Sequence, residues 1–184
     1  MIIGISGKAG SGKDTVYNMM EEMYASKKIM MNVKFAKALK DKAGGLLEVD
    51  PEMFESQEFK ASKIPTSEEE MTYRDFLLLF GTEVMRRVDP NYWVNIAMKD
   101  AELFEQYAYT PVFTDVRFPN ELQAIKDVGG IILRVDMVGN EGVDHISDSA
   151  LDDAQFDYRI TAKKGDLEHL EESVKAFMNL HGLR

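Results

Sequence analysis

Cysteine is absent from this chain of 184 residues. Disulfides, thiolate zinc centres and thiol nucleophiles are therefore excluded, and the fold must rest on its apolar core, as suits a reducing compartment. Basic residues are scarce: 22 Lys and Arg stand against 32 Asp and Glu, a formal net charge of -10. That sign opposes binding to duplex DNA or an anionic membrane, so neither a nucleic-acid polymer nor a membrane is expected as a partner. Any anion the protein takes needs a local positive site. Long apolar runs are missing too, and Phe76-Leu77-Leu78-Leu79-Phe80 falls far short of the roughly 18 residues a membrane helix requires. Met1 leads directly into Ile2-Ile3-Gly4-Ile5 with no basic region, and Lys8 breaks any signal-like run, so a cytoplasmic location is expected. Histidine is rare, and His145 in its acidic loop has no second ligand at metal spacing, which argues against zinc.

What is present is a globular mixture, 45% hydrophobic and 29% charged, of a length that suits one domain spanning 1–184. Ile2-Ile3-Gly4-Ile5-Ser6 reads as a buried strand. A glycine-rich turn follows, and from Lys13 the apolar residues Val16, Met19, Met20, Met23 and Tyr24 recur at helical spacing. A strand is predicted over 29–35 and a helix over 36–47, weakened by Gly44-Gly45. This βαβ start points to a parallel sheet with helices on both faces. Residues 49–71 are irregular and look inserted. Helices are predicted over 72–88 and 91–107, the first stopped by Asp89-Pro90. Strands follow at 111–116, 131–135 and 158–161. Pro119 opens a short helix that Gly129-Gly130 closes, and Asp166 caps a last helix to about Leu180. The expected architecture is a three-layer α/β/α fold with about five parallel strands, an insertion at about 36–108 and a lid loop at about 137–156.

The turn Gly7-Lys8-Ala9-Gly10-Ser11-Gly12-Lys13-Asp14-Thr15 fits G-x-x-x-x-G-K between a buried strand and a helix, the context this phosphate-binding motif demands. Its glycines let the backbone wrap a phosphate with N–H groups pointing inward, and the helix N-terminus adds partial positive charge. Lys13 is placed to reach β- and γ-phosphates. Asp14 stands where a Ser or Thr hydroxyl usually meets Mg²⁺. We expect Asp14 to hold the ion directly or through water, with Thr15 on the α-phosphate.

Further motifs carry a family resemblance: Phe35-Ala36 to Leu39-Lys40, Tyr73-Arg74-Asp75-Phe76-Leu77, Phe80-Gly81-Thr82-Glu83, Asp89-Pro90-Asn91-Tyr92-Trp93-Val94, Asp115-Val116-Arg117-Phe118-Pro119-Asn120-Glu121 and His145-Ile146-Ser147-Asp148. With the phosphate loop they resemble the bacteriophage deoxynucleoside monophosphate kinases, P-loop enzymes related in fold to adenylate kinase. The resemblance implies phosphoryl transfer from ATP to a deoxynucleoside monophosphate with Mg²⁺. Such an acceptor already presents an ionised oxygen, so catalysis reduces to positioning and charge neutralisation, and arginines become the residues to find.

Arg117, just past the third strand at the carboxyl edge of the sheet, is the first candidate to clamp the acceptor or the transferring group. Arg74 and Arg86 on the 72–88 helix come next, with Lys40 as a further acceptor contact and Trp93 packing near the acceptor pocket. Asp115 ends the strand where P-loop enzymes carry a metal-organising aspartate. No Lys or Arg occurs between Arg134 and Arg159, so the lid cannot neutralise phosphate. Thr161-Ala162-Lys163 stands where relatives often place an Asn against adenine, which leaves the donor-base contact open. A dephospho-coenzyme A kinase-like enzyme shares the donor half but is disfavoured by residues 73–93. A nucleotide-binding switch or motor is disfavoured by the missing Asn-Lys-x-Asp reader and by Asp115-Val116 in place of Asp-Glu. A homodimer is the default expectation for assembly.

Overall fold

The computed structural model describes residues 1–24, 29–140 and 149–183. These fall into two compact units, one formed by 1–34 with 98–184 and the other by 35–97.

The first unit is built on five strands: β1 (Ile3–Ser6), β2 (Met30–Val33), β3 (Thr110–Val116), β4 (Ile131–Met137) and β5 (Tyr158–Ala162). Their order is β2-β3-β1-β4-β5, and every neighbouring pair is parallel. β1 is central and fully buried, as its unbroken apolar sequence requires. Alternate residues face opposite layers. Ile3 and Ile5 join a core with Val16, Met20 and Phe177 from the helices α1 (Lys13–Met23) and α8 (Leu167–Leu180). Gly4 faces the other layer, where an added Cβ would lie 2.8 Å from Ile125 of α7 (Pro119–Asp127). The result is helix, sheet, helix. Asp166 caps α8 by accepting the N–H of His169.

The second unit holds α2 (Phe35–Leu47), a 3₁₀ turn (Pro51–Glu55), α3 (Gln57–Ala61), α4 (Tyr73–Leu78), a π-helical segment (Leu79–Met85) and α5 (Arg86–Val88). It also holds the first residues of α6 (Tyr92–Gln106), which runs on into the first unit. Its own core gathers Ala43, Phe54, Ile64 and Tyr73.

Two predicted boundaries change. The strand expected over 29–35 is shorter, because Phe35 already starts α2, and α2 runs through Gly44-Gly45 without a break. An apolar run of this length does not fix where strand ends and helix begins, and tertiary packing outweighs the modest helix penalty of glycine. Of the predicted lid, residues 141–148, including His145, lie outside the described residues. Its start is a turn in which the N–H of Asn140 meets the Met137 carbonyl, and Leu151 beyond it is buried.

Candidate active site

The phosphate loop leaves the carboxyl end of β1 and enters α1. Gly10 and Gly12 have φ of 72° and 93°, a left-handed backbone that side chains resist. At Gly7 the constraint is space: an added Cβ would lie 2.4 Å from both Ser11 Oγ and the Val135 carbonyl oxygen. Lys13 is nearly buried, and its ammonium donates to the carbonyls of Gly7 at 2.7 Å and Lys8 at 2.8 Å. Ser11 Oγ is buried without a hydrogen-bond partner. An orphaned hydroxyl beside an ammonium, in a loop closed by a helix N-terminus, is the donor set a phosphate group satisfies. Asp14 and Thr15 stand exposed on the first turn of α1.

Strand register aligns the rest. Ser6 of β1 lies opposite Val116 of β3 on one side and Arg134 of β4 on the other. Arg117 therefore leaves the sheet next to Gly7, neighbouring strands being about 4.8 Å apart. This register depends on a bulge: Gly4 pairs with Phe113 but Ser6 with Val116, so β3 spends one extra residue over Thr114-Asp115. Asp115, half-buried, sits in that bulge.

Several residues at the site escape sequence reasoning. Arg134 is 5% exposed; its Nε donates to Asp136 at 2.8 Å, and its other nitrogens lie 3.4 Å from Ser6 Oγ and 3.5 Å from Asp152. Arg159 on β5 pairs with the second oxygen of Asp136, and both guanidiniums lie 5.3 Å from the ring centre of Phe156. A cavity of about 270 Å³ beside the loop is lined by Lys8, Ser11, Asp136, Met137, Asn140 and Arg159. Asn140 donates to the Ala9 carbonyl at 2.8 Å, tying the start of the predicted lid to the phosphate loop. A charged residue inside the apolar run 131–135 was the available signal for Arg134.

The remaining predicted residues belong to the second unit. Lys40 pairs with Glu55 at 2.6 Å, and Arg74 donates to Gln57 at 2.8 Å. Arg86 is half-buried, whereas Arg87 is exposed and paired with Glu83 at 2.7 Å. Trp93 is 2% exposed, with Phe80 and Tyr92 edge-on to its ring and its indole N–H on the Gly81 carbonyl at 3.0 Å. Among the described residues no helix is long and apolar enough to cross a membrane, and no group of three or more His, Asp or Glu could hold a metal ion.

Strand order and phosphate loop together define a P-loop kinase fold. The family described as deoxynucleotide monophosphate kinase matches residues 29–174, and the chain belongs to that family. The match starts beyond the phosphate loop, so loop and match are independent observations. The protein is a phosphotransferase acting on a deoxynucleoside monophosphate, which sets aside the small-metabolite and switch alternatives. A search of curated proteins finds no significant match. Among solved structures, shikimate kinase from Bacteroides thetaiotaomicron aligns over 99% of this chain and 98% of its own, at 11% identity and a TM-score of 0.49.

Proposed function

We propose that the protein transfers the γ-phosphoryl group of ATP to a deoxynucleoside monophosphate in the cytoplasm, giving the diphosphate and ADP. The observation that carries this reading is the register that sets Arg117 beside the phosphate loop. An ionised oxygen of the acceptor phosphate attacks the γ-phosphorus, and the bond to the β–γ bridging oxygen breaks. No strong general base is needed. Lys13 exchanges its two carbonyl partners for β- and γ-phosphate oxygens, Ser11 Oγ and the loop amides donate to the β-phosphate, and Thr15 meets the α-phosphate. Arg117 holds the acceptor phosphate against the transferring group with a planar, bidentate donor set. Mg²⁺, when bound with the nucleotide, supplies further charge neutralisation. Asp14 and Asp115 are the carboxylates to organise it, and an ion carried largely by phosphates and water needs no all-protein cage.

Lys40, Arg74 and Arg86 are assigned to the acceptor, and Trp93 to shaping its pocket from within the core. These assignments are tested by supplying ATP and Mg²⁺ with each common ribo- and deoxynucleoside monophosphate and following ADP release. Turnover is expected with at least one deoxynucleotide, and Arg117→Ala should lower kcat roughly 100-fold or more. Silence across the panel with folded protein overturns the proposed reaction. Near-normal turnover of Arg117→Ala overturns the role of that arginine.

A further inference from the structure

The turn that carries Arg117 is held by a carboxylate. Glu121 is 2% exposed, and its Oε2 accepts the main-chain N–H of Arg117 at 2.8 Å and of Phe118 at 3.0 Å. Pro119, the first residue of α7, has no N–H, so these two amides are the last donors before the helix. Glu121 takes both.

Capping alone does not account for this arrangement. A glutamate three residues into a helix ordinarily returns to the amide of the capping residue, here Phe118, in exchange for a capping hydroxyl. Phe118 has no hydroxyl to offer, and Glu121 reaches one residue further out, to the amide of Arg117. On the strand side, the extra residue at Thr114-Asp115 sets Val116 opposite Ser6. Without it Asp115 would face Ser6, and Arg117 would leave the sheet about 3.3 Å further along, on the other face. Thr114 is fixed in turn, its hydroxyl donating to Asn32 of β2 at 3.0 Å. Bulge and carboxylate thus bracket Arg117 from both ends, and bulges are known devices for re-aiming a side chain beside an active site.

We infer that Glu121 is a positioning residue for phosphoryl transfer, fixing the direction in which Arg117 leaves β3 toward the phosphate loop. The inference rests on the role of Arg117 proposed above. A buried carboxylate shared by two amides makes charge-assisted bonds about twice as strong as neutral ones, so the amide isostere keeps the shape and loosens the hold.

The test is a double-mutant cycle of Glu121→Gln with Arg117→Ala, repeated with Glu121→Asp, with activity normalised to the folded fraction from circular dichroism. Glu121→Gln alone should lower kcat roughly 10- to 100-fold, the scale of a misplaced catalytic group, with the KM for ATP changed less than twofold. In the Arg117→Ala background the same change should cost less than threefold, because nothing remains to be positioned. Equal losses in both backgrounds, or full activity per folded molecule in Glu121→Gln and Glu121→Asp, overturn the positioning role while leaving Arg117 in place. Near-normal turnover of Arg117→Ala removes the premise and the inference with it.

Discussion

Tyr17 shows how completely the inner face of α1 excludes water. It is 6% exposed, and its hydroxyl donates to Glu21 at 3.0 Å. Burial, followed by the hydrogen bond and the charge of Glu21, pushes the phenol up to about 12. An unfolded tyrosine ionises near pH 10, so between pH 10 and 12 the unfolded chain sheds a proton that the folded chain keeps. The stabilisation is intact below pH 10 and declines above it, by at most about 1.4 kcal/mol per pH unit. Tyr17→Phe should flatten this stretch of the stability profile relative to the parent, measured by urea midpoints from pH 9 to about 12. At this scale the sequence exposes residue types with fixed chemistry, such as Lys13 at the end of G-x-x-x-x-G-K. It does not expose Arg134, whose partners Ser6 and Asp152 lie on other segments, or the role of Glu121, whose local bonds gain meaning from the strand register that sets Arg117 next to the loop.

The helical stretch 73–88 illustrates the element scale. Its ends follow local rules: Thr72 and Asp75 form a reciprocal cap, and hydrogen bonds from Thr72 hold the Asp75 carboxyl below its usual range. Its middle does not. Periodicity predicts one uniform helix, yet Leu79–Met85 is π-helical. An added Cβ at Gly81 would come within 2.6 Å of Leu39, and the Gly81 carbonyl is turned to the Trp93 indole. Both contacts come from α2 and α6, which a pattern read along one helix cannot contain. π segments are rare and often mark functional sites, and this one separates the two acceptor candidates Arg74 and Arg86. Trp93→Phe removes this buried hydrogen bond and should lower stability by about 0.5–1.5 kcal/mol, read as a reduced urea midpoint in circular dichroism. An unchanged midpoint would show that the indole bond contributes little.

For the whole molecule, the parallel sheet was readable because a buried strand, a glycine turn and an amphipathic helix at the start leave few topologies open. The extent of each strand was not, since β4 and β5 end where neighbouring strands and loops allow. A chain with net charge -10 can still take polyanionic nucleotides if positive groups gather locally: Lys8 and Lys13 lie in the phosphate loop, Arg117 follows β3 next to it, and Arg159 lines the same cavity as Lys8 and Ser11. ATP at 100 times its dissociation constant should stabilise the fold by about 2.7 kcal/mol, and raise the melting temperature by roughly 5–11 °C. Duplex DNA should give no shift, and a thermal melt with each ligand checks both. The ammonium of Lys13 is nearly buried, resting on two carbonyls of its own loop. Most of its dehydration thus accompanies folding. An arriving phosphate therefore meets a cation that has only to change partners, so most of the electrostatic work of burying that charge belongs to the making of the protein and not to each catalytic cycle.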